Sequence, residues 1–387
     1  MRLLHIVAQL PPVRDGIGDY ADRICRELSH TQSVTAVTSK NPEIENSDSY
    51  EIIKSFTVEE TKSVLSIPEL PILQTTDCVI LQYNPFSFGK YGKNFNLAQM
   101  FKKIKSRYPK IKTATMFHER FYPTIETDSN QKILYTKLHR SLIFSSIHRW
   151  QYANLVKNSD YLLFSTETWV EAAKKQYPDK KISLIRIGSP AVFQPGEKSI
   201  ARKNLGIAED RTVIGLFGSL HVAKMVDVMN HSYAQLEKNG LKPIFLYVGA
   251  DTEAFRERIT GVDAILPGAI PADRLSEYFH AMDILLAPFI DGAATRRTSL
   301  IIGLQHGLPT VSTIGISTGN LFISENNKSI CLVPNGDKEI FADAVLKLAQ
   351  NKEIRESMGK SARRLYETHF DYPVLASELL SALEISP

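Results

Sequence analysis

Two short segments gather the residue types that handle a phosphate. Residues 291–309 read DGAATRRTSLIIGLQHGLP, and residues 217–224 read FGSLHVAK. In both, glycines, hydroxyls and fixed cations stand where an apolar run gives way to a helical pattern. That is where a parallel sheet turns backbone N–H groups toward a ligand. Arginine's planar fork matches phosphate oxygens, which makes Arg296 and Arg297 candidates to hold one. Thr298 and Ser299 follow them and can cap the next helix or donate to the ligand. Neighbouring side chains on a regular segment diverge, so one arginine is expected at the ligand and the other in solvent. Gly218 and Ser219 close the earlier run, and the Lys224 ammonium lies near enough along the chain to share a diphosphate with their amides.

Other polar clusters end apolar runs in the first half of the chain. The first run leads into PPVRDGIGDYADRI, where Gly16, Ile17 and Gly18 precede a helical pattern and offer a ligand free N–H groups on a positive helix end. The spacing also fits the dinucleotide fingerprint G-x-G-x-x-A. Residues 11–15 intervene before the glycines, and no carboxylate ends the second run, although Ser39 and Lys40 suit a 2′-phosphate. A structural turn, an NADP site and a substrate-cleft loop therefore all stay open. His118 and Glu119 end the run KTATMFHE, Gln82 and Tyr83 another, and Ser165-Thr166-Glu167 a third. These are candidates to line an acceptor side, with His118 able to hydrogen-bond a sugar hydroxyl or a developing charge. Gly359-Lys360-Ser361 lacks the upstream glycine of a P-loop, no D-x-D pair is present, and no histidine spacing suits a metal.

These segments need scaffolding. The chain has 387 residues, enough for two ordinary domains, with 43% hydrophobic and 23% charged residues, the profile of a soluble globular protein. The net charge of +4 makes no case for nucleic acid. No run is long enough to span a bilayer, and three scattered cysteines fit a reducing cytoplasm. Apolar runs at 3–8, 34–37, 78–82, 113–117 and 161–164 read as buried parallel strands alternating with helices. The pattern restarts after a polar, proline-bearing stretch at 189–200, taken as the linker. Further strands are expected at 212–217, 243–248, 264–266, 284–287, 310–312 and 330–333. Two doubly wound α/β domains with a cleft between them follow from this alternation. The run from Lys102 to Lys112 carries six cations and no acid, which suits either a solvated helix face or peripheral contact with an anionic membrane.

Taken as a set, PPVRDGIGDYA, MFHE, IRIGSPAVFQP, FGSLHVAK, LPGAIPADRLSEYFHAMDILLAPF, QHGLPTVST and HFDYPVLASELLSAL resemble a two-domain glycosyltransferase of the GT-B fold, and within it the retaining family 4 enzymes. The resemblance implies two Rossmann-like domains, an acceptor side over 1–192 and a donor domain over 193–365, with a helix in 366–387 crossing back. It implies transfer of a sugar from a nucleotide diphosphate to a glycan, lipid-linked or small-molecule acceptor, in cell-surface polysaccharide or glycolipid synthesis. No metal and no cofactor beyond the nucleotide sugar are expected, and the expected location is cytoplasmic; the run from Lys102 to Lys112 leaves both a solvated helix face and peripheral contact at the inner membrane face open. Lys224 and Arg296 would neutralise the leaving diphosphate, and His118 would complete the catalytic set. Gly218, Ser219, Arg297, Thr298 and Ser299 would bind the donor, with Ile265 and Gly268 near its base. Gly16, Ile17, Gly18, Tyr83, His118 and Glu119 would line the acceptor side. Two features depart from the family: Ser219 stands where its phosphate-binding arginine falls, and the glutamates of its E-x7-E pair fall on Ala294 and Ile302. The RRTS run resembles a branch of bacterial GT-B proteins with RRxS in that place. A sugar-nucleotide-binding protein without transfer activity, an epimerase or phosphorylase of the same fold, and an NADP oxidoreductase are the alternatives.

Overall fold

The computed structural model describes residues 1–121, 138–220 and 225–385. The described residues divide into two compact units: 1–121, 138–186 and the segment from Tyr372 form the first, and Ile187–Asp371 the second. In the first, Val-, Ile- and Leu-rich runs buried on both faces form parallel strands. They are β1 (Arg2–Ile6), β2 (Ser33–Ser39), β3 (Glu51–Phe56), β4 (Cys78–Tyr83), β5 (Lys112–Phe117), β6 (Tyr161–Phe164) and β7 (Lys181–Leu184). Helices α1 (Gly16–Ser29), α2 (Asn96–Arg107), α3 (Leu138–Asn158) and α4 (Glu167–Gln176) cover them. The sheet order is β3-β2-β1-β4-β5-β6-β7, so strand order reverses between β1 and β4.

The second unit repeats the plan. Its strands are β8 (Thr212–Phe217), β9 (Pro243–Val248), β10 (Ala264–Gly268), β11 (Ile284–Ala287), β12 (Thr310–Ile314) and β13 (Cys331–Pro334). They are parallel in the order β10-β9-β8-β11-β12-β13, with the reversal between β8 and β11. The helices are α5 (Lys198–Asn204), α6 (Val226–Lys238), α7 (Thr252–Arg258), α8 (Leu275–Phe279) and α9 (Thr298–Gln305), then α10 (Asn320–Ser324), α11 (Lys338–Gln350) and α12 (Lys352–His369). Asp337 and Asn351 cap α11 and α12 through their side-chain oxygens. The last helix, α13 (Tyr372–Ala382), belongs to the first unit, where Arg23 lies 4.4 Å over the Tyr372 ring. Among the described residues no helix is long and apolar enough to cross a membrane.

Residues 189–200 are not a linker. The Ser189 hydroxyl donates to Gln305 at 2.5 Å, the Val192 amide to the Ala272 carbonyl at 2.9 Å, and the Gln194 amide to Ser276 at 3.0 Å. Their polar groups are spent inside the second unit, so this stretch is a packed strap and the units divide before it, at Arg186/Ile187. The unexpected strands β3 and β7 are the two edges of the first sheet, and their half-exposed residues dilute the apolar signal.

At the opposite end of the second sheet from its ligand-facing loops, Asp283 holds three elements together. Its carboxylate takes Arg202 at 2.5 Å, Lys198 at 3.0 Å and the Val213 amide at 2.8 Å. Burial would push the Asp283 carboxyl up, but Lys198, the Val213 amide and Arg202 hold it below the usual range. Removing one partner strands a buried guanidinium, so Asp283→Ala should cost about 3–5 kcal/mol in denaturant unfolding, and Asp283→Asn, which keeps an acceptor, distinctly less. Equal stability of parent and alanine variant would refute this role.

Candidate functional site

In open α/β sheets a ligand sits beyond the carboxyl ends of the strands where strand order reverses. In the second unit that point lies between β8 and β11, and the two phosphate-type segments leave the sheet there. After β8 the chain turns at Gly218, with φ +80°, and Ser219 is exposed. Three groups fix this turn: the Tyr247 hydroxyl donates to the Gly218 carbonyl at 2.9 Å, the Leu220 amide donates to Asp251 at 2.9 Å, and Arg258 donates to the Leu220 carbonyl at 3.0 Å. Lys224 lies outside the described residues. Gly268 ends the edge strand β10 and accepts from the Gly249 amide at 3.0 Å, while Ile265 is half-buried in that strand.

After β11 the loop from Pro288 to Arg297 is braced by the loop after β12. The Ala293 amide bonds the Thr313 carbonyl at 2.8 Å, and the Ser317 amide bonds the Asp291 carbonyl at 2.8 Å. A Cβ on Gly315 would meet the Asp291 carbonyl carbon at 2.5 Å, so the two backbones touch only because both Gly292 and Gly315 lack one. This contact places Asp291. Its carboxylate accepts from Arg296 at 3.1 Å, from Arg297, and from the Ser317 hydroxyl at 3.1 Å. Burial would raise the Asp291 carboxyl, yet Arg297 and then Arg296 hold it below the usual carboxylate range.

The expectation of one arginine at the ligand and one in solvent is therefore corrected. Both side chains are under one-fifth exposed and both grip Asp291, because they stand in the turn before α9 rather than on a regular segment. Arg297 also lies over the Phe289 ring at 4.5 Å. The three side chains form one group. It sits on the N-terminus of α9, where the Arg297 side chain at the N-cap position makes no cap bond. Cations there oppose the helix dipole, an arrangement that an arriving anion reverses. Thr298 and Ser299 are half-buried on that first turn. Ala294 and Ile302 are both fully buried, and Ile302 packs with Val213, Leu246 and Leu285, so neither position offers a ligand anything.

The first unit is built differently. A Cβ on Gly18 would meet the Gln9 carbonyl oxygen at 2.5 Å, so the close approach of α1 to the preceding loop needs that glycine. Gly16 is exposed and Ile17 half-buried. The amides of this turn, expected to be free for a ligand, are capped by Asp15, whose carboxylate accepts from Ile17 at 3.3 Å. Burial raises the Asp15 carboxyl despite these bonds. Burial also pushes Asp19 up to about 6, with Asp15 and Asp22 adding and Arg23 opposing. Such a turn repels a diphosphate.

Beside it, His118 bonds Gln82 Oε1 through Nε2 at 2.7 Å, and Gln82 Nε2 lies 3.1 Å from His5 Nδ1. Tyr20 meets the His118 ring edge-on at 5.1 Å. Burial lowers His118 to about 3 and His5 to about 4, so both are neutral at ordinary pH. With Nε2–H donating to Gln82, Nδ1 is the acceptor atom of His118. Glu119 is half-buried next to it. Tyr83 is not a cleft residue: it is fully buried, packs 5.5 Å from Phe117 and accepts from Gln151. Ser165 and Thr166 are likewise buried, and Glu167 pairs with Arg186 at 3.8 Å.

A carboxyl raised in the native state binds its proton more tightly there than in the unfolded chain. Its stabilising effect is present below the ordinary carboxylate value and lost as pH rises through about 6. Asp19→Asn should therefore melt above the parent in mildly alkaline buffer, and the gap should close near pH ~4. A constant gap across that range would contradict the assignment.

Residues 211–351 match the family model described as glycosyl transferases group 1. The chain is 24% identical over 230 residues to a D-inositol 3-phosphate glycosyltransferase of Saccharomonospora viridis, covering 54% of this chain and 52% of that protein. It thus spans about half the length of the curated relatives it matches. Among solved structures, a sucrose-phosphate synthase from Thermosynechococcus elongatus superposes with a TM-score of 0.75 at 15% identity, over 99% of this chain and 98% of that one. Anabaena Alr3699/HepE, in complex with UDP and glucose, gives 0.70 at 12% identity over 99% of both chains. The fold is GT-B, and residues 211–351 are similar to the glycosyl transferases group 1.

Proposed function

We propose that the chain transfers a sugar from a uridine diphosphate sugar to an acceptor hydroxyl. One observation carries this reading: two guanidiniums held by Asp291 at the N-terminus of α9, at the point where strand order reverses. The UDP and glucose held by a structural relative supports uridine as the base, and the group 1 match supports transfer. In the reaction, the bond from the sugar C1 to the diphosphate oxygen breaks, and both electrons leave with UDP. Arg296, Arg297 and Lys224 neutralise that charge, while Gly218, Thr298 and Ser299 add donors. The acceptor oxygen bonds to C1 on the face UDP has left, and its proton passes to the departing phosphate, which retains the anomeric configuration. His118, being neutral, accepts a hydrogen bond from a sugar hydroxyl through Nδ1 rather than supplying charge. A cell-surface glycan or glycolipid is the proposed product, made without a metal.

The α1 turn disfavours the nicotinamide reading, since Asp15 already occupies the amides a pyrophosphate would need. The decisive assay offers UDP-, GDP- and ADP-sugars with mixed sugar, inositol phosphate and lipid-linked acceptors, and reads free nucleoside diphosphate and new glycoside. Acceptor-dependent UDP release is expected, with kcat/KM lowered about 100-fold in Lys224→Ala and Arg297→Ala. Several outcomes would overturn the proposal: an isomerised sugar still on its nucleotide, tight donor binding without product, or affinity for NADP alone.

A further inference from the structure

Between Asp77 and Glu119, and again throughout α3, every charged residue is a lysine or an arginine. The cations expected to reach a membrane, Lys102 to Lys112, are partly spent inside the first unit. Lys105 pairs with Asp160, Arg107 with Glu69, and Lys112 donates to the Leu383 and Glu384 carbonyls at 3.0 and 3.3 Å. The unspent charge lies elsewhere, next to an unusual set of rings.

Phe86, Tyr91, Phe95 and Trp150 are each about half exposed, at 49%, 55%, 49% and 50%, and no other aromatic among the described residues is comparably bare. They come from the loop between β4 and α2 and from α3, whose exposed stripe runs Leu142, Ile143, Ser146, Arg149, Trp150. That is helical spacing with the apolar residues facing outward. The pieces form one surface: Phe95 and Trp150 meet at 5.0 Å, Tyr91 and Phe144 at 6.0 Å. Lys90 and Lys93 lie over the Tyr91 and Phe144 rings at 5.4 and 5.6 Å. Rings with a polar tip or edge, mixed with lysines on segments that carry no acid, fit a lipid interface, where the rings lie among head groups and the ammonium ions on their phosphates. A protein partner is a poorer fit, because lysine is depleted at protein interfaces.

We propose that this surface docks the first unit on an anionic lipid membrane, with Tyr91, Phe95 and Trp150 entering the head-group layer and Lys90 and Lys93 on lipid phosphates. The proposal stands apart from the sugar-transfer reading. Its test uses the full chain with vesicles of phosphatidylcholine alone or mixed with phosphatidylglycerol. Binding to the mixed vesicles is expected, with tryptophan emission shifted to the blue and quenched by brominated lipid, since the other tryptophan, Trp169, is buried. Lys90→Gln with Lys93→Gln should weaken partitioning by about tenfold or more at low salt. Tyr91→Ser with Phe95→Ser should abolish the emission shift without lowering the melting temperature. The proposal is overturned by no binding to anionic vesicles, by binding that both double variants retain, or by a dimer in solution that Tyr91→Ser with Phe95→Ser dissolves.

Discussion

The second unit is organised around a charge of the wrong sign. Arg296 and Arg297 stand on the N-terminus of α9, where the peptide dipoles already concentrate positive charge, at a cost of about 0.3–1 kcal/mol each. One carboxylate, Asp291, keeps both in place. Asp291 itself depends on the close backbone contact between Gly292 and Gly315, and hence on β11 and β12 lying side by side. Sheet order, loop bracing and the turn at Gly218 all converge on a place that an anion would relieve. A guanidinium pair at a helix N-terminus is chemistry that suits a phosphate oxygen.

The first unit makes the opposite choice with the same architecture. Its helix α1 starts at the corresponding strand reversal, yet Asp15 caps the amides and Asp19 adds a second carboxyl. Next to it, the half-buried His118 joins the buried Gln82 and His5 in a neutral relay. Hydroxyl-rich, uncharged molecules suit such a site, and diphosphates do not. Two sheets of one topology thus carry turns of contrasting charge at their strand reversals.

Much of the fold was legible because buried parallel strands are nearly continuous apolar runs; β1, β4, β8, β9 and β11 lie where those runs predict. The edges β3 and β7 were illegible for the same reason, since half-exposed strands lose that signal. At the site, residue types pointed to the right loops, but geometry was misjudged wherever a turn replaced a periodic element. Arg296 and Arg297 were assigned by helical divergence, and a turn brought both to Asp291. Asp291 had a sequence signal, a carboxylate beside a glycine in the same loop, but its partners depend on a backbone contact that spacing does not reveal. Tyr83 ends a strand like a cleft residue, yet its ring turns into the Phe117 cluster. The prolines at 190 and 195 looked like punctuation and instead lie in a strap that Ser189, Val192 and Gln194 tie to the second unit.

The central claim is that the Asp291-held arginines bind the donor through its phosphates. Calorimetric titration of the full chain with uridine, UMP and UDP tests it most directly. The account predicts a ladder in which each phosphate tightens binding by about tenfold, and in which Arg297→Ala flattens the UDP step. Uridine binding as tightly as UDP, or an unchanged ladder in the variant, would contradict it.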